Sequence, residues 1–427
     1  MESETHMMKS KPGRESKNMF ASSKLLHHPW IRIVLISNLL TQTGIWIRNF
    51  AVLLYVVNKT GGDAFAVSMI SVAEYAPMLV FALIGGVFAD RWPPRRTLIW
   101  CDALAAVSIW IVLAAMKSGA WEAVFFPTLI SAVLSQLSQP SGMRLFQERA
   151  AADLIQPAMS VFQTMFAVFM VLGPVLGTWV YQTFGIGVSM GLTGTVFLLS
   201  AAVLGWIPAD FKAEGGGRRQ GTSVFREMRD GIRYVTSNRV LGRLSLCFAA
   251  VGLGIGLISP LSVFIVTDKL GLPADHLKWL SIPYGAGEIA GGIAAFALAG
   301  RMAPQTLLML GLIVNAAGIA VTGWSGMLWL TMLAQFVIAL LQPAIFIGNQ
   351  TLVMQHTEPE YIGRVSGIRT PLMTGAMLLM MSLSGVLAGR LPLGIIYSLA
   401  GLCLLIGLLI VLPLYRQRES ALASRPE

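Results

Sequence analysis

Twelve long apolar stretches run through this chain of 427 residues. A helix needs about 20 consecutive apolar residues to cross the hydrocarbon core of a bilayer. The stretches lie at 31–57, 65–89, 97–117, 123–145, 158–183, 187–207, 240–267, 277–299, 306–323, 327–351, 366–389 and 394–415. Only 12% of the residues are charged, against roughly 25% in soluble domains. We therefore predict an all-α, multi-pass membrane protein with twelve transmembrane helices.

One polar segment, residues 209–239, divides the twelve spans into two groups of six, and it contains an amphipathic stretch from Phe225 to Tyr234. A basic amphipathic stretch beside a membrane is typical of a helix at the headgroup boundary; a regulatory site is the alternative. The predicted organisation is a tail at 1–28, a six-helix bundle at 29–208, the linker at 209–239, a second six-helix bundle at 240–415 and a tail at 416–427.

The positions of the basic residues predict the orientation. The formal net charge is +10, and most Lys and Arg residues lie in the N-terminal tail and in alternate loops. The loops of the opposite side contain only Lys59, Lys117, Lys269, Lys278 and Arg390. By the positive-inside rule, both termini are cytoplasmic and the chain lies in the cell membrane. Because the charges alternate with apolar spans and form no single basic face, nucleic acid is not expected as a partner.

Catalytic and metal-binding signatures are missing from the sequence. Cys101, Cys247 and Cys403 lie far apart in apolar stretches, so neither a disulfide framework nor a thiolate metal site is indicated. The chain contains no phosphate-binding Walker loop, no His-Glu-x-x-His and no Gly-x-Ser-x-Gly at a strand-helix turn. We predict that the protein is not an enzyme and binds neither a metal nor a cofactor.

The two groups of six spans show weak internal similarity. The segment 88–94, after the second span, lines up with 298–304, after the eighth. Gln139-Pro140 in the fourth span corresponds to Gln342-Pro343 in the tenth. Such recurrence is typical of transporters built from repeats.

The most specific motif lies between the second and third spans. There the chain reads Gly86-Val87-Phe88-Ala89-Asp90-Arg91-Trp92-Pro93-Pro94-Arg95-Arg96, which resembles the loop signature of the major facilitator superfamily. The resemblance implies two pseudo-symmetric six-helix bundles that alternate in access. It also implies a cytoplasmic latch formed by Gly86, Asp90, Arg91, Arg95 and Arg96, docked near Ser366 at the start of the eleventh span.

The latch also has a physical rationale. A carboxylate at a helix C-terminus, as expected for Asp90, is unfavourable by roughly 0.3 to 1 kcal/mol unless a cation or another helix N-terminus compensates it. A loop that is merely basic, the alternative, explains the arginines but neither Gly86 nor Asp90. The prolines at 93 and 94 depart from the family pattern, and Gly300 stands where the second copy would need an acid. We expect no latch in the second half.

A second motif lies in the fifth span. Gly173-Pro174-Val175-Leu176-Gly177 resembles a shortened form of the motif associated with exporters of this superfamily. Close helix packing is the alternative reading, because small residues let helices approach. Over residues 29–415 the chain is similar to the branch that contains macrolide-efflux and catecholate-siderophore exporters.

Four ionisable residues are assigned to the interior of the predicted spans, away from their ends, and such residues are functional hypotheses by default. Arg48 and Glu74 stand 13 residues before and after Gly61, so an antiparallel hairpin would bring them to the same depth. We expect an ion pair, with substrate contact by Glu74 as the alternative. Asp102 lies near Arg95 and Arg96 and is assigned to the latch.

Glu288 differs from these three because it lies mid-span without an evident cation. The facing depth of the seventh span offers Gly252, Gly254 and Gly256. Burial away from a cation favours the neutral form of a carboxyl, which suits a group that exchanges protons. We rank Glu288 first as the proton-coupling residue, before Glu74 and Asp102; a hydrogen-bonded structural role is the alternative.

The predicted function is secondary active export of small amphipathic compounds, drug, macrolide or siderophore-like, by proton antiport and alternating access. The proton gradient would supply the energy, and a monomer in contact with membrane lipid is expected. The alternatives are a symporter or lipid flippase of the same fold and, in another class, a non-transporting receptor or sensor. Amide side chains at membrane depth are the candidates for the cavity wall: Asn38, Gln42, Gln139, Gln163 and Gln342.

Overall fold

The computed structural model of the protein describes residues 28–89, 92–149, 152–208, 224–298, 302–358 and 361–423. These residues form helices, turns and short connections without a strand. The helices are α1 (Pro29–Thr60), α2 (Ala64–Ala89), α3 (Pro94–Lys117), α4 (Phe125–Arg149), α5 (Ala152–Gly205), α6 (Val224–Ser237), α7 (Arg239–Ile258), α8 (Leu277–Leu298), α9 (Pro304–Trp324), α10 (Leu328–Gln355), α11 (Ile362–Ala388) and α12 (Leu393–Ala423). The predicted all-α fold is confirmed.

Two of the twelve predicted spans lie within the single long helix α5. Gly185 interrupts it with a left-handed φ of 72°, a conformation that glycine adopts without a Cβ clash. The predicted spans 158–183 and 187–207 lie on either side of this residue, so α5 supplies two transmembrane arms. In the described part of the chain, nine segments are long and apolar enough to cross a membrane, one of which contains both arms of α5.

Local sequence signals determine where several helices begin and end. Pro94 and Pro304 occupy the first positions of α3 and α9, where the missing N–H costs no hydrogen bond. The left-handed Gly61 follows α1, and the Gly62 N–H donates to the Val57 carbonyl at 2.9 Å. Asn238 caps α7 by accepting from the backbone N–H of Val240 at 3.0 Å.

The helices pack within two groups. In the first, α1 and α3 contact α5, and α4 contacts α2 and α3; in the second, α7 contacts α11 and α12, while α10 contacts α8 and α9. Between the groups, α2 packs against α11 and the first arm of α5 packs against α8. Helices that follow each other along the chain are therefore often not the closest neighbours in space.

The two halves touch at one end of the molecule, which we call the closed end and which carries the connections at 61–63, 270–276 and 389–392. Ser68 in α2 and Ser384 in α11 form a hydroxyl hydrogen bond of 3.1 Å. Beside them, a Cβ added to Gly385 would lie 2.6 Å from the Phe65 Cα. The opposite end carries α6, and we call it the basic end.

Asp275 extends the contact between the halves at the closed end. Partial burial raises the pKa of its carboxyl, but the hydrogen bond with Gln182 of α5 and the neighbouring His276 and Lys278 outweigh that effect, so the pKa lies below its usual value. The Lys278 ammonium is 3.7 Å from the carboxylate. Stability from a carboxyl with a lowered pKa is present above its ordinary pKa and is lost as the pH falls through the lowered one. We therefore expect this contact to persist at neutral pH.

Gly385→Ala is expected to open the closed end. Its Cβ would meet the backbone of α2, and overpacking of this kind costs about 1 to 3 kcal/mol. Ser68 is fully buried beside it, so a thiol introduced by Ser68→Cys should be alkylated faster when α2 and α11 separate. Gly389→Ala is the control, because its Cβ would lie 3.6 Å from its nearest neighbour. Equal alkylation rates in the two variants would contradict the prediction.

Candidate functional site

A cavity of about 420 Å³ lies where the two halves face each other. From the first half, α1 and the first arm of α5 line it; from the second half, α7 to α10 and α12 do so. Most lining side chains are apolar, and none of the described ones is charged. The neutral polar groups come from Ser259, Ser262, Ser281, Tyr284, Asn315, Thr322, Gln335, Gln342 and Tyr397. This chemistry suits an amphipathic ligand.

An aromatic wall on α1 forms the first half's side of the cavity. Trp46 and Phe50 both line it and stack with centroids 6.1 Å apart. They rest against the fifth-span motif: a Cβ on Gly177 would lie 2.8 Å from the Phe50 Cβ, and one on Gly173 would overlap the Trp46 ring. Pro174 itself lines the cavity. The two glycines are therefore packing residues that position the aromatic wall.

Gly173→Ala is expected to displace Trp46, because the new methyl group occupies the position of the indole. Thermal stability should fall by the equivalent of about 1 to 3 kcal/mol, and ligand affinity should fall with it. Gly187→Ala in the other arm of α5 is a matched control with open space around its Cβ. Tryptophan fluorescence and ligand titration would measure both effects. A Gly173→Ala protein with unchanged ligand affinity would contradict this role.

Of the predicted cavity amides, Gln342 does line the cavity, where its Oε1 accepts a hydrogen bond of 2.8 Å from the Tyr284 hydroxyl. Asn38 donates instead to the Met165 sulfur at 3.9 Å, and neither Asn38 nor Gln42 is among the described lining residues. The side chains of Gln139 and Gln163 lie outside the described part of the structure.

Glu288 lies near the middle of α8, one turn from Tyr284. Gly285 faces Met170 of α5, and Gly287 faces Phe336 of α10. Because successive residues of an α-helix turn by 100°, the Glu288 side chain points between these two directions. It therefore faces the crevice between the halves. Its Oε2 is buried, and no hydrogen-bond partner is found among the described residues.

One prediction about the surroundings of Glu288 was wrong, because the glycines of α7 do not face it. Gly252 and Gly256 of α7 face α11, where added Cβ atoms would meet the carbonyls of Met373 and Met377. The third glycine, Gly254, faces α12. The neighbours of α8 are α10 and α5, so the glycines of α7 allow close packing and do not surround the carboxyl.

Arg48 and Glu74 are linked, but the predicted direct pair is wrong. The Arg48 Nη2 donates to the Asn49 Oδ1 at 2.8 Å, and the Asn49 Nδ2 donates to the Glu74 Oε1 at 3.2 Å. Arg48 is only 3% exposed, and its Nη1 has no partner among the described residues. Asn49 therefore carries the connection between the buried cation and the carboxylate.

Asp102 belongs to a cluster of hydroxyl groups and does not contact the arginines of the latch within the described residues. Its Oδ2 accepts from the Ser200 hydroxyl at 2.6 Å, and Ser37 and Thr41 of α1 lie 2.8 and 3.0 Å from the same hydroxyl. Arg95 donates instead to the Gly205 carbonyl at 2.6 Å. The cluster joins α1, α3 and the second arm of α5.

The remaining latch residues are only partly described. Arg96 is exposed at the start of α3 and Gly86 belongs to α2, whereas Asp90 and Arg91 lie outside the described residues. The docking of this loop near Ser366 stays a prediction.

Arg369 is a buried cation that the charge pattern did not single out, because it lies only three residues inside the predicted stretch 366–389. It is 4% exposed in α11 and donates to the Asn349 Oδ1. Its guanidinium lies 5.2 Å from the centroid of Phe248, which packs edge-on against Phe346 of the cavity wall. Its position inside an apolar span was the signal that could have identified it.

Comparison of the sequence with protein-family models assigns the chain to a known family. The family model of the Major Facilitator Superfamily matches residues 34–299 and, a second time, 244–427. The chain belongs to the Major Facilitator Superfamily. It is therefore a multi-pass membrane transporter and not an enzyme, as the sequence predicted.

Relatives and solved structures agree with this assignment. The chain is 26% identical over 386 residues to the multidrug efflux pump Tap of Mycolicibacterium fortuitum, covering 87% of this chain and 92% of that protein. It is 24% identical over 386 residues to macrolide efflux protein A of Streptococcus pyogenes, with the same coverage. A crystal structure of the nucleoside transporter NupG superposes with a TM-score of 0.68 at 12% identity, covering 91% of this chain and 99% of that one, which shows the shared fold.

Proposed function

We propose that this transporter exports small amphipathic compounds in exchange for protons. The observation that carries the proposal is the position of Glu288: a carboxyl oxygen without a described partner faces the crevice between the halves, one turn from a cavity residue. A carboxyl in such surroundings can be neutral in one state of the transporter and ionised in another, according to its access to water.

The cavity supports the substrate class. Its apolar walls would hold the hydrophobic body of a ligand, and Tyr284, Gln342 and Asn315 offer neutral hydrogen-bonding groups at one side. Two relatives are named as efflux proteins, one as a multidrug efflux pump and the other as a macrolide efflux protein. We infer a drug-like, macrolide-like or siderophore-like compound with both an apolar body and polar groups.

In the proposed cycle, the two halves, residues 29–208 and 240–415, move against each other around this cavity. The contacts at the closed end represent one state, in which the substrate would enter from the basic end. By the positive-inside rule, the basic end is cytoplasmic and the protein lies in the cell membrane. Glu288 would take up a proton from outside as the substrate leaves on that side, and would release it toward the cytoplasm when the next substrate binds there.

The experiment is flux in proteoliposomes with an imposed pH gradient, using a macrolide and a panel of amphipathic dyes as probes. Movement of a probe against its own concentration gradient, opposite to the proton flow, is expected. Movement in the same direction as protons would indicate a symporter, and transfer of labelled phospholipid alone would indicate a flippase. Probes that raise the melting temperature but never cross the membrane would favour a receptor.

A further inference from the structure

We propose that the outward face of α6 binds anionic phospholipid headgroups and that this binding stabilises the state in which the closed end is shut. The face is formed by Arg229, Arg233 and Ile232, and the exposed Arg239 follows at the start of α7. It is separate from the cavity, so the proposal does not depend on the substrate.

One side of α6 is attached firmly to the second half. Tyr234 stacks on Tyr361, with centroids 4.2 Å apart and planes 6° from parallel. The Tyr234 hydroxyl accepts from the Glu358 backbone N–H at 3.2 Å. A Cβ on Gly231 would lie 2.6 Å from the Ile368 side chain, so α6 and α11 are in close contact.

The other side of α6 is free in the described structure and is mainly basic. Gly231 and Val235 are buried, and Tyr234 is partly buried, whereas Arg229, Arg233 and Thr236 are exposed. At 100° per residue, the arginines point about 180° away from the attached side. Asp230 is the acidic side chain described on α6, and Arg239 adds a further exposed cation two residues beyond its end.

Its position and chemistry favour lipid as the partner. A single residue, Asn238, separates α6 from the membrane-spanning α7, which places α6 at the level of the headgroups. Ile232 is 47% exposed beside the arginines, so an apolar side chain and cations occupy the same surface. Phospholipid offers this combination, because a phosphate lies directly above acyl chains.

The attachment to α11 provides the link to transport. The same helix α11 reaches the closed end, where Ser384 contacts Ser68 of α2. Fixing α6 against the membrane would hold the N-terminal end of α11 in its present position and so favour the shut state. Tyr234 is therefore the positioning residue that connects lipid binding to the contact between the halves.

The first test measures binding with the purified full chain in detergent. Phosphatidylglycerol should raise the melting temperature more than phosphatidylcholine does. Arg229→Gln with Arg233→Gln should weaken the apparent affinity for phosphatidylglycerol by about 25-fold, at roughly fivefold per arginine. Arg32→Gln, an exposed arginine at the start of α1, is the matched control and should change little. Equal stabilisation by both lipids, or a full response in the double variant, would overturn the proposal.

The second test measures the link to the closed end. In proteoliposomes, alkylation of Ser68→Cys should slow as phosphatidylglycerol increases, and Tyr234→Ala should remove this dependence while phosphatidylglycerol still binds. Alkylation that follows lipid composition equally with and without Tyr234→Ala would refute the coupling. Stabilisation by inorganic phosphate equal to that by phosphatidylglycerol would assign the arginines to a free anion instead of lipid. Neither the melting temperature nor the alkylation rate requires transport. Failure of the lipid proposal can therefore be told apart from failure of the proposed export function.

Discussion

Glu288→Gln is expected to reduce flux driven by a pH gradient to the background of protein-free vesicles. Glutamine keeps the shape of the side chain but cannot change its protonation state, so the proton step of the cycle would be lost. Exchange of substrate without a gradient should survive, because the cavity residues are unchanged. The measurement is proteoliposome flux with an imposed gradient, alongside Glu122→Gln, which alters an exposed carboxyl in the turn before α4.

Ligand binding gives a second readout for Glu288. If substrate and proton compete, wild-type affinity should vary with pH, and the Glu288→Gln protein should bind independently of pH. Full gradient-driven flux in Glu288→Gln would transfer the proton role to Glu74, and then to Asp102. Loss of flux in both Glu288→Gln and Glu74→Gln would indicate a coupled pair of carboxyls whose titration belongs to the pair.

Glu74→Gln is expected to lower the free energy of unfolding by about 2 to 3 kcal/mol, because it removes the nearest negative charge from the buried Arg48. This lies below the 3 to 5 kcal/mol of a fully buried ion pair, since Glu74 is only partly buried. Arg48→Met combined with Glu74→Gln should recover much of the loss. Reversible unfolding in mixed micelles would measure all three proteins.

The bridge through Asn49 makes a sharper prediction. Asn49→Leu should cost about 1 to 3 kcal/mol, because the Arg48 guanidinium loses its hydrogen-bond acceptor. In the Asn49→Leu background, the coupling energy between Arg48 and Glu74 should fall. Asn58→Leu is a control on the same helix, at an exposed position whose amide donates to the Tyr181 hydroxyl at 3.3 Å and contacts neither charge. Undiminished coupling without Asn49 would show that the two charges interact directly.

Neighbour relations between helices explain which sequence predictions were wrong. The Arg48 and Glu74 assignment assumed that α1 and α2 pack along their length, and the assignment for Glu288 assumed the same of α7 and α8. In the structure α1 packs mainly on α5, and α8 packs on α10 and α5. A hairpin fixes the depth of two residues but not the direction in which each helix turns its side chains. The depth argument therefore found Glu74, whereas the intervening Asn49 was not predictable from it.

Hydrophobic length by itself determined the all-α class, because a chain in lipid must satisfy its backbone hydrogen bonds within each helix. The twelve spans and the break at residues 209–239 stay predictions, since 209–223 lie outside the described residues. Local residues such as Pro94, Gly61 and Asn238 likewise determined where helices begin and end. Only the tertiary structure decided which faces meet. It placed Trp46 against Gly173, Asp102 among hydroxyl groups and Arg369 behind the cavity wall, because lateral packing in a membrane depends on shape complementarity between helices that are distant in sequence.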